Sequence, residues 1–180
     1  MGKARDIPGL EADLPYAEAA ARTVAVRAYE LFAAGRDVLD TQDIEQVHDM
    51  RVASRRLRAV LEIFAPCFDR DAYRPVLRDV KALADALGAR RDPDVQLEAL
   101  ERLAKRMGAP EARGIELMAV GLRAEQATGN ETLAAALQET EDCDLHGRLL
   151  ALAASATDLD SELDERAPLF APTTNGGEPA

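Results

Sequence analysis

Val47-His48-Asp49-Met50-Arg51-Val52-Ala53-Ser54-Arg55-Arg56-Leu57-Arg58 decides how the rest of the chain is read. On a helix advancing about 100° per residue, with His48 at zero, Arg55 falls at about −20°, Arg51 at about −60° and Arg58 at about −80°. Met50, Leu57, Leu61 and Phe64 gather between about 160° and 220° on the same wheel, so the apolar stripe points away from the basic one. Arg56 stands apart at about +80°, flanking the basic face or simply solvated. One helix thus carries three guanidiniums and an imidazole on one side and a core-forming stripe on the other.

The composition around it is that of helices. Nearly half of the 180 residues are apolar, yet only 4% are aromatic, and alanine and leucine dominate where β-branched residues are few. This predicts an all-α chain, an antiparallel helical bundle of about six to seven helices packed closely through small side chains. No apolar run approaches the roughly 20 residues needed to cross a bilayer, and Met1-Gly2-Lys3-Ala4-Arg5-Asp6 lacks a hydrophobic signal core. A cytoplasmic protein without a membrane partner is the default expectation. Cys67 and Cys143 lie far apart and show no metal-ligand spacing, so they read as reduced thiols and no metal or cofactor is implied.

A net charge of −11 argues against generic binding to nucleic acid. Its distribution says more. From His48 to Arg91 there are ten Arg or Lys and six Asp or Glu, whereas the remainder holds twelve against twenty-seven. A basic island in an acidic chain suits a localised anion site and disfavours indiscriminate polyanion binding. Arginine outnumbers lysine nineteen to three, and guanidinium forks match phosphate oxygens in bidentate geometry, although an alanine- and arginine-rich genome gives the same ratio.

In order, residues 1–14 read as a flexible arm, and Asp13 and Pro15 start a helix over Tyr16–Ala34 that ends at Gly35. Its Arg22 and Arg27 can face the basic helix. Asp40 or Thr41 caps the second helix, which runs to about Ala65 and is stopped by Pro66. Asp69 or Asp71 opens a third, with Pro75 tolerable only in the first turn and Gly88 as its end; its Arg74, Arg78 and Lys81 make a further basic strip. Asp92 as N-cap and Pro93 at the first position start a fourth helix to Met107, placing Arg90 and Arg91 on a short turn. There they either hold an arginine over the end of a groove or only pair with Asp92 and Asp94. Further helices are expected from Pro110 to Thr128, from Glu131 to Glu139 and from Asp144 to Ala156. Glu139, Glu141, Asp142 and Asp144 form an acidic patch beside His146, and a disordered tail follows residue 166. Residues 15–166 thus read as one domain, a basic four-helix half to residue 108 and a shorter acidic half after it.

His48-x-x-Arg51-Val52-x-x-Arg55-Arg56-Leu57-Arg58, followed by Leu83-x-x-x-Leu87-Gly88-x-x-Arg91-Asp92-x-Asp94-Val95, resembles the CHAD family, the conserved histidine α-helical domain. The resemblance implies a helical bundle with internal two-fold pseudo-symmetry whose basic groove binds inorganic polyphosphate; some members are fused to a triphosphate tunnel domain. Carried onto this chain, it implies polyphosphate contacts from His48, Arg51, Arg55, Arg58, Lys81 and Arg91, with Arg56 and Arg90 as neighbours. Association with polyphosphate granules and polyphosphate-metabolising enzymes follows from the same resemblance. It is strongest from Glu45 to Leu97 and fades after Gly108, with no second His-x-x-Arg-x-x-x-Arg motif. A short member with a half-lined groove, or a homodimer that completes the groove, is therefore expected.

The residues support this physically. A linear polyanion offers repeating charge without base edges, so a row of forked cations holds it without sequence readout. No catalytic residue is expected: Asp49 lies about 100° round the helix from His48, and no P-loop, nucleophile elbow or carboxylate cage for a divalent metal is present. Three alternatives stand beside polyphosphate binding. They are a structural or protein-interaction bundle whose arginines pair with carboxylates, an accessory to phosphoanhydride hydrolysis, and a nucleic-acid binder lacking stacking aromatics.

Overall fold

The computed structural model describes residues 4–36, 38–40 and 44–166. Among them the chain forms five helices and no strand: α1 (Tyr16–Ala34), α2 (Ile44–Ile63), α3 (Arg70–Ala104), α4 (Ala109–Asp142) and α5 (Leu145–Arg166), with a 3-10 turn at Ala65–Cys67. α1 lies between α2 and α5, α2 packs on α1 and α3, and α3 pairs along its length with α4.

The core follows from helical periodicity. Ala20, Val24, Ala28 and Leu31 of α1 recur at four and three residues and are fully buried. Val47, Met50, Leu57 and Leu61 of α2 meet Val76, Val80, Leu83 and Leu87 of α3, and Leu133, Leu145, Leu149, Leu152 and Ala156 close the cluster from α4 and α5. Met50, Leu57 and Leu61 are thus the buried stripe of α2, and Phe64 packs half-buried against it. Ala20, Ala28, Ala53, Ala86 and Ala153 let the helices approach closely.

Both ends of α1 fall where Pro15 and Gly35 put them. Its Arg22 and Arg27 turn to Glu18 and Glu30 rather than to the basic helix, Arg27 lying 2.6 Å from Glu30. Arg22 also donates to the Gly9 carbonyl at 2.8 Å, and the Arg5 amide donates to Glu30, so residues 5–9 run against α1. α2 begins at Ile44, four residues after Asp40; Thr41 and the tail after residue 166 lie outside the described residues. It ends two residues short of Ala65, and Pro66 sits inside the 3-10 turn. Asp69 caps α3 by accepting from the amides of Asp71 and Ala72 at 2.9 and 3.0 Å. Asp144, at φ 46°, accepts from the Gly147 amide at 3.1 Å and opens α5.

The helix count is lower than the sequence suggests because two apparent breaks lie inside helices. Gly88, Asp92 and Pro93 are interior to α3, and Gly129 and Asn130 are interior to α4. Pro75 sits in the second turn of α3, where it removes a bond only from the exposed end of the helix at Asp71. α5 continues ten residues past Ala156.

Pro93 is the informative case. It has no N–H, so the Ala89 carbonyl loses its partner four residues on, a loss of about 3 kcal/mol or more in a helix interior. α4 crosses at this point through Gly129, so close that a Cβ there would stand 2.9 Å from the Ala89 oxygen and 3.0 Å from Arg90 Cα. Glycine permits the approach, and a backbone C–H can face the orphaned carbonyl, a weak but favourable contact. The proline and the glycine are two halves of one helix crossing.

Gly129→Leu is expected to lower unfolding free energy by about 1–3 kcal/mol through overpacking at this crossing. Gly88→Ala, where nothing lies within 4 Å of the new Cβ, should raise it by about 0.4–1 kcal/mol. Urea denaturation of the two variants checks both signs.

Candidate functional site

α2 and α3 run antiparallel, and two contacts set their register. Arg51 Nη2 lies 3.7 Å from Asp92 Oδ1, and Lys81 Nζ lies 3.2 Å from Glu62 Oε1. The residues between recur on both helices at spacings of four, three and four: Arg51, Arg55, Arg58 and Glu62 on α2, and Asp92, Gly88, Asp85 and Lys81 on α3. Positions three and four apart share a helix face. The register therefore sets Arg55 across from Gly88 and Arg58 across from Asp85, over a strip about 16 Å long at 1.5 Å per residue.

Arg55 is exposed and makes no ion pair or hydrogen bond among the described residues. Opposite it, Gly88 leaves open space. Arg58 is half-buried, with Nε 3.9 Å from Glu62, and His48 is half-buried one turn before Arg51. Arg56 is also half-buried, beside Arg5, Glu30 and Asp49 in a small cleft toward α1. At the far end Tyr73 stacks on Phe68 with centroids 6.0 Å apart. Its phenol is held above the ordinary tyrosine range by burial and then by the charge of Glu62. The basic strip is thus interleaved with carboxylates. Arg51 and Asp92 are about half and two-thirds exposed, and pairs of that kind are worth about 0–1 kcal/mol.

Arg90 and Arg91 are placed differently from the expected turn. Both lie inside α3, Arg90 with no exposed surface and Arg91 nearly buried. Arg90 donates to Asp94 Oδ1 at 2.6 Å and to Asn130 Oδ1 at 3.1 Å, and Gln126 donates to the same Asp94 oxygen at 2.5 Å. Arg91 reaches Glu98 at 3.4 Å and lies 3.9 Å from Asp94 Oδ2. Arg90 Nη2, Arg91 Nε and Asp94 Oδ2 remain buried without a hydrogen-bond partner among the described residues. Asp92, expected to cap a helix, instead projects to Arg51. The structure therefore brings His48, Arg51, Arg55, Arg58 and Lys81 to one surface, sets Arg91 at its inner edge, and withdraws Arg90 into the α3–α4 interface.

Elsewhere a cleft and a ring contact stand out. Arg148 donates to Asp79 at 2.7 Å, a hydrogen bond that raises its pKa, beside a cleft of about 400 Å³ shared by α3, α4 and α5. His146 packs on Phe32 with centroids 4.7 Å apart. No group of three potential metal ligands occurs among the described residues, and no helix of theirs is long and apolar enough to cross a membrane. Sequence reading missed Glu62 as a member of the strip; the four-three-four spacing that revealed the arginines reveals it too.

Five helices among the described residues, two of them antiparallel with arginines along their contact, define an all-helical bundle. The family model of the CHAD domain matches residues 18–174, and the chain belongs to that family, one associated with polyphosphate binding. The match runs well past Gly108, where the motif-level resemblance fades. Comparison with curated proteins and with solved structures gave no significant match.

Asp94→Ala leaves the buried Arg90 guanidinium without its carboxylate and is expected to cost about 3–5 kcal/mol. Asp92→Ala breaks only an exposed pair and should change stability by no more than about 1 kcal/mol. Denaturant titration of both variants checks the contrast.

Proposed function

We propose that the chain binds inorganic polyphosphate along the α2–α3 strip and does not turn it over. Arg51, Arg55, Arg58 and Lys81 contact phosphoryl oxygens, His48 extends the row, Arg91 and Arg56 flank it, and Arg90 positions Arg91 by holding α3 against α4. The observation that carries this reading is Arg55, an exposed guanidinium without an ion pair or hydrogen bond among the described residues, set by the helix register across from the open space at Gly88.

Energetics favour exchange of partners along the strip. Arg51 and Lys81 give up exposed carboxylates worth about 0–1 kcal/mol, and a charge-assisted contact to an anion returns about 1.5–3 kcal/mol. The excess acidity of the remaining chain disfavours binding of a polyanion away from the strip. Polyphosphate-metabolising enzymes and polyphosphate granules are the partners this reading expects, and a second copy of the chain would lengthen the cationic row.

A structural reading has one observation in its favour: Asp92 and Glu62 already stand opposite Arg51 and Lys81. If those pairs were the purpose of the arginines, Arg51→Ala/Arg55→Ala would destabilise the fold in the absence of any ligand. On the binding reading the double variant keeps its denaturation midpoint, whereas its Kd for long-chain polyphosphate rises about tenfold or more. Binding to the unaltered chain should weaken steeply with salt. Titration of labelled polyphosphate into both proteins across a salt series gives these readouts.

A further inference from the structure

Before Lys81, the first turns of α3 carry arginines that the α2–α3 strip does not use. With Gly88 at zero on the wheel, Asp92 falls at about 40° and Lys81 at about 20°; toward the start of the helix Arg74 falls at about 40° and Arg70 at about 0°. The face of α3 that borders the strip therefore runs on for a further eleven residues. At about 1.5 Å per residue this continuation is about 16 Å long, as long as the strip itself, and the whole row from Asp92 to Arg70 is about 33 Å. Arg78 stands at about 80°, on the α4 side of the row, with Nε 3.1 Å from Asp79 and 77% of its side chain exposed. α2 ends at Ile63, one residue after Glu62 has met Lys81, so the antiparallel register sets no carboxylate of α2 against this continuation.

The two halves differ in how their charges are met. Between Asp92 and Lys81 four cations, Arg51, Arg55, Arg58 and Lys81, share the surface with Asp92, Asp85 and Glu62, and a phosphate chain laid there passes three carboxylates. Arg70 and Arg74 are exposed, and neither makes an ion pair or side-chain hydrogen bond among the described residues. The carboxylates nearest to them in sequence are committed or lie off the row. Asp69 accepts from the amides of Asp71 and Ala72 that open α3, and Asp71 itself falls at about 100°. Asp79 falls at about 180° and is held by Arg148 at 2.7 Å. A guanidinium without an internal partner gives up no protein bond when an anion arrives.

We propose that the polyphosphate surface continues past α2 along the first turns of α3, with Arg70 and Arg74 binding phosphoryl oxygens and Arg78 flanking them, so that one extended chain lies along the whole row. This extension rests on the α2–α3 strip being a polyphosphate site, and it gives that site a length preference: chains that span about 33 Å over chains that only fill about 16 Å. A chain held by one half meets the other as an intramolecular contact, which raises affinity without any change in either half.

Polyphosphates of defined length, titrated against the full chain and against Arg70→Ala/Arg74→Ala, test it. Lengthening the ligand from one that fills the strip to one that covers the whole row should tighten binding to the unaltered chain by about tenfold or more. The variant should gain almost nothing from the added length. Its log–log salt slope for the longer ligand should be shallower by about 1.4, for two lost contacts at about 0.7 each. Its denaturation midpoint should be kept, since neither side chain has an internal hydrogen bond or ion pair to lose. Arg102→Ala/Arg106→Ala, which removes two exposed charges at the opposite end of α3, should match the unaltered chain. An unaltered chain that gains nothing from the added length, a variant that still gains it, or an equal loss in Arg102→Ala/Arg106→Ala overturns the proposal. Binding at no length, or binding indifferent to Arg51→Ala/Arg55→Ala, overturns the reading of the strip and the proposal with it.

Discussion

Arg90 and Asp94 lie side by side in the interior, one turn apart on α3, and the geometry of the other helices depends on how that pair is satisfied. Removing two charges from water costs several kcal/mol per ion, and their attraction offsets this only when hydrogen bonds complete the site. Here α4 supplies part of that completion: Asn130 accepts from Arg90, and Gln126 donates to Asp94, while Arg90 Nη2 and Asp94 Oδ2 have no hydrogen-bond partner among the described residues. Hydrocarbon packing tolerates sliding by a fraction of a turn. A buried pair satisfied from a second helix does not, so these bonds fix the α3–α4 register. Because α3 also presents Gly88, Asp85 and Lys81 to α2, the same lock holds one wall of the basic strip.

Stiffness and exposure are divided accordingly. Behind the strip lie Leu57, Leu61, Leu83 and Leu87, all essentially without exposed surface. In front of it lie arginines whose internal contacts are long or absent. Their backbone positions are set by the core while their side chains keep most of their rotamer freedom. That combination suits recognition of a repeating anion, for which spacing of charge matters more than the fit of any one contact.

Much of this was readable in the sequence, and what was not has a physical cause. The boundaries of α1 and the burial of Met50, Leu57 and Leu61 follow from local signals that tertiary packing does not oppose. Gly88, Asp92-Pro93 and Gly129-Asn130 read as breaks because each disfavours an isolated helix, by about 1 kcal/mol for glycine and about 3 for proline. In the folded chain Gly129 is what allows α4 to pass the carbonyl freed by Pro93, and Asp94 is a buried counter-ion rather than a terminal group. One signal did point to the continuous helix: Val80, Leu83, Leu87, Arg90, Asp94 and Leu97 recur at three and four residues. Arg90 and Asp94 thus occupy the core stripe itself, and an ion pair four apart in an apolar row marks a buried lock more than a turn. The arginine face of α2 was legible because exposed charge follows the helical period directly; Asp85 and Asp92 come to it from a second helix whose register only the fold supplies, while Glu62 lies on α2 itself.

Beyond Asp94 and Gln126 no described residue of the α3–α4 hairpin belongs to the core shared with the other helices. Its seam repeats with the helical period, so seven residues added to or removed from each arm would change its reach by about 10 Å and leave every face in phase. The hairpin is in this sense a ruler whose length can drift through evolution while the bundle and its basic strip stay as they are.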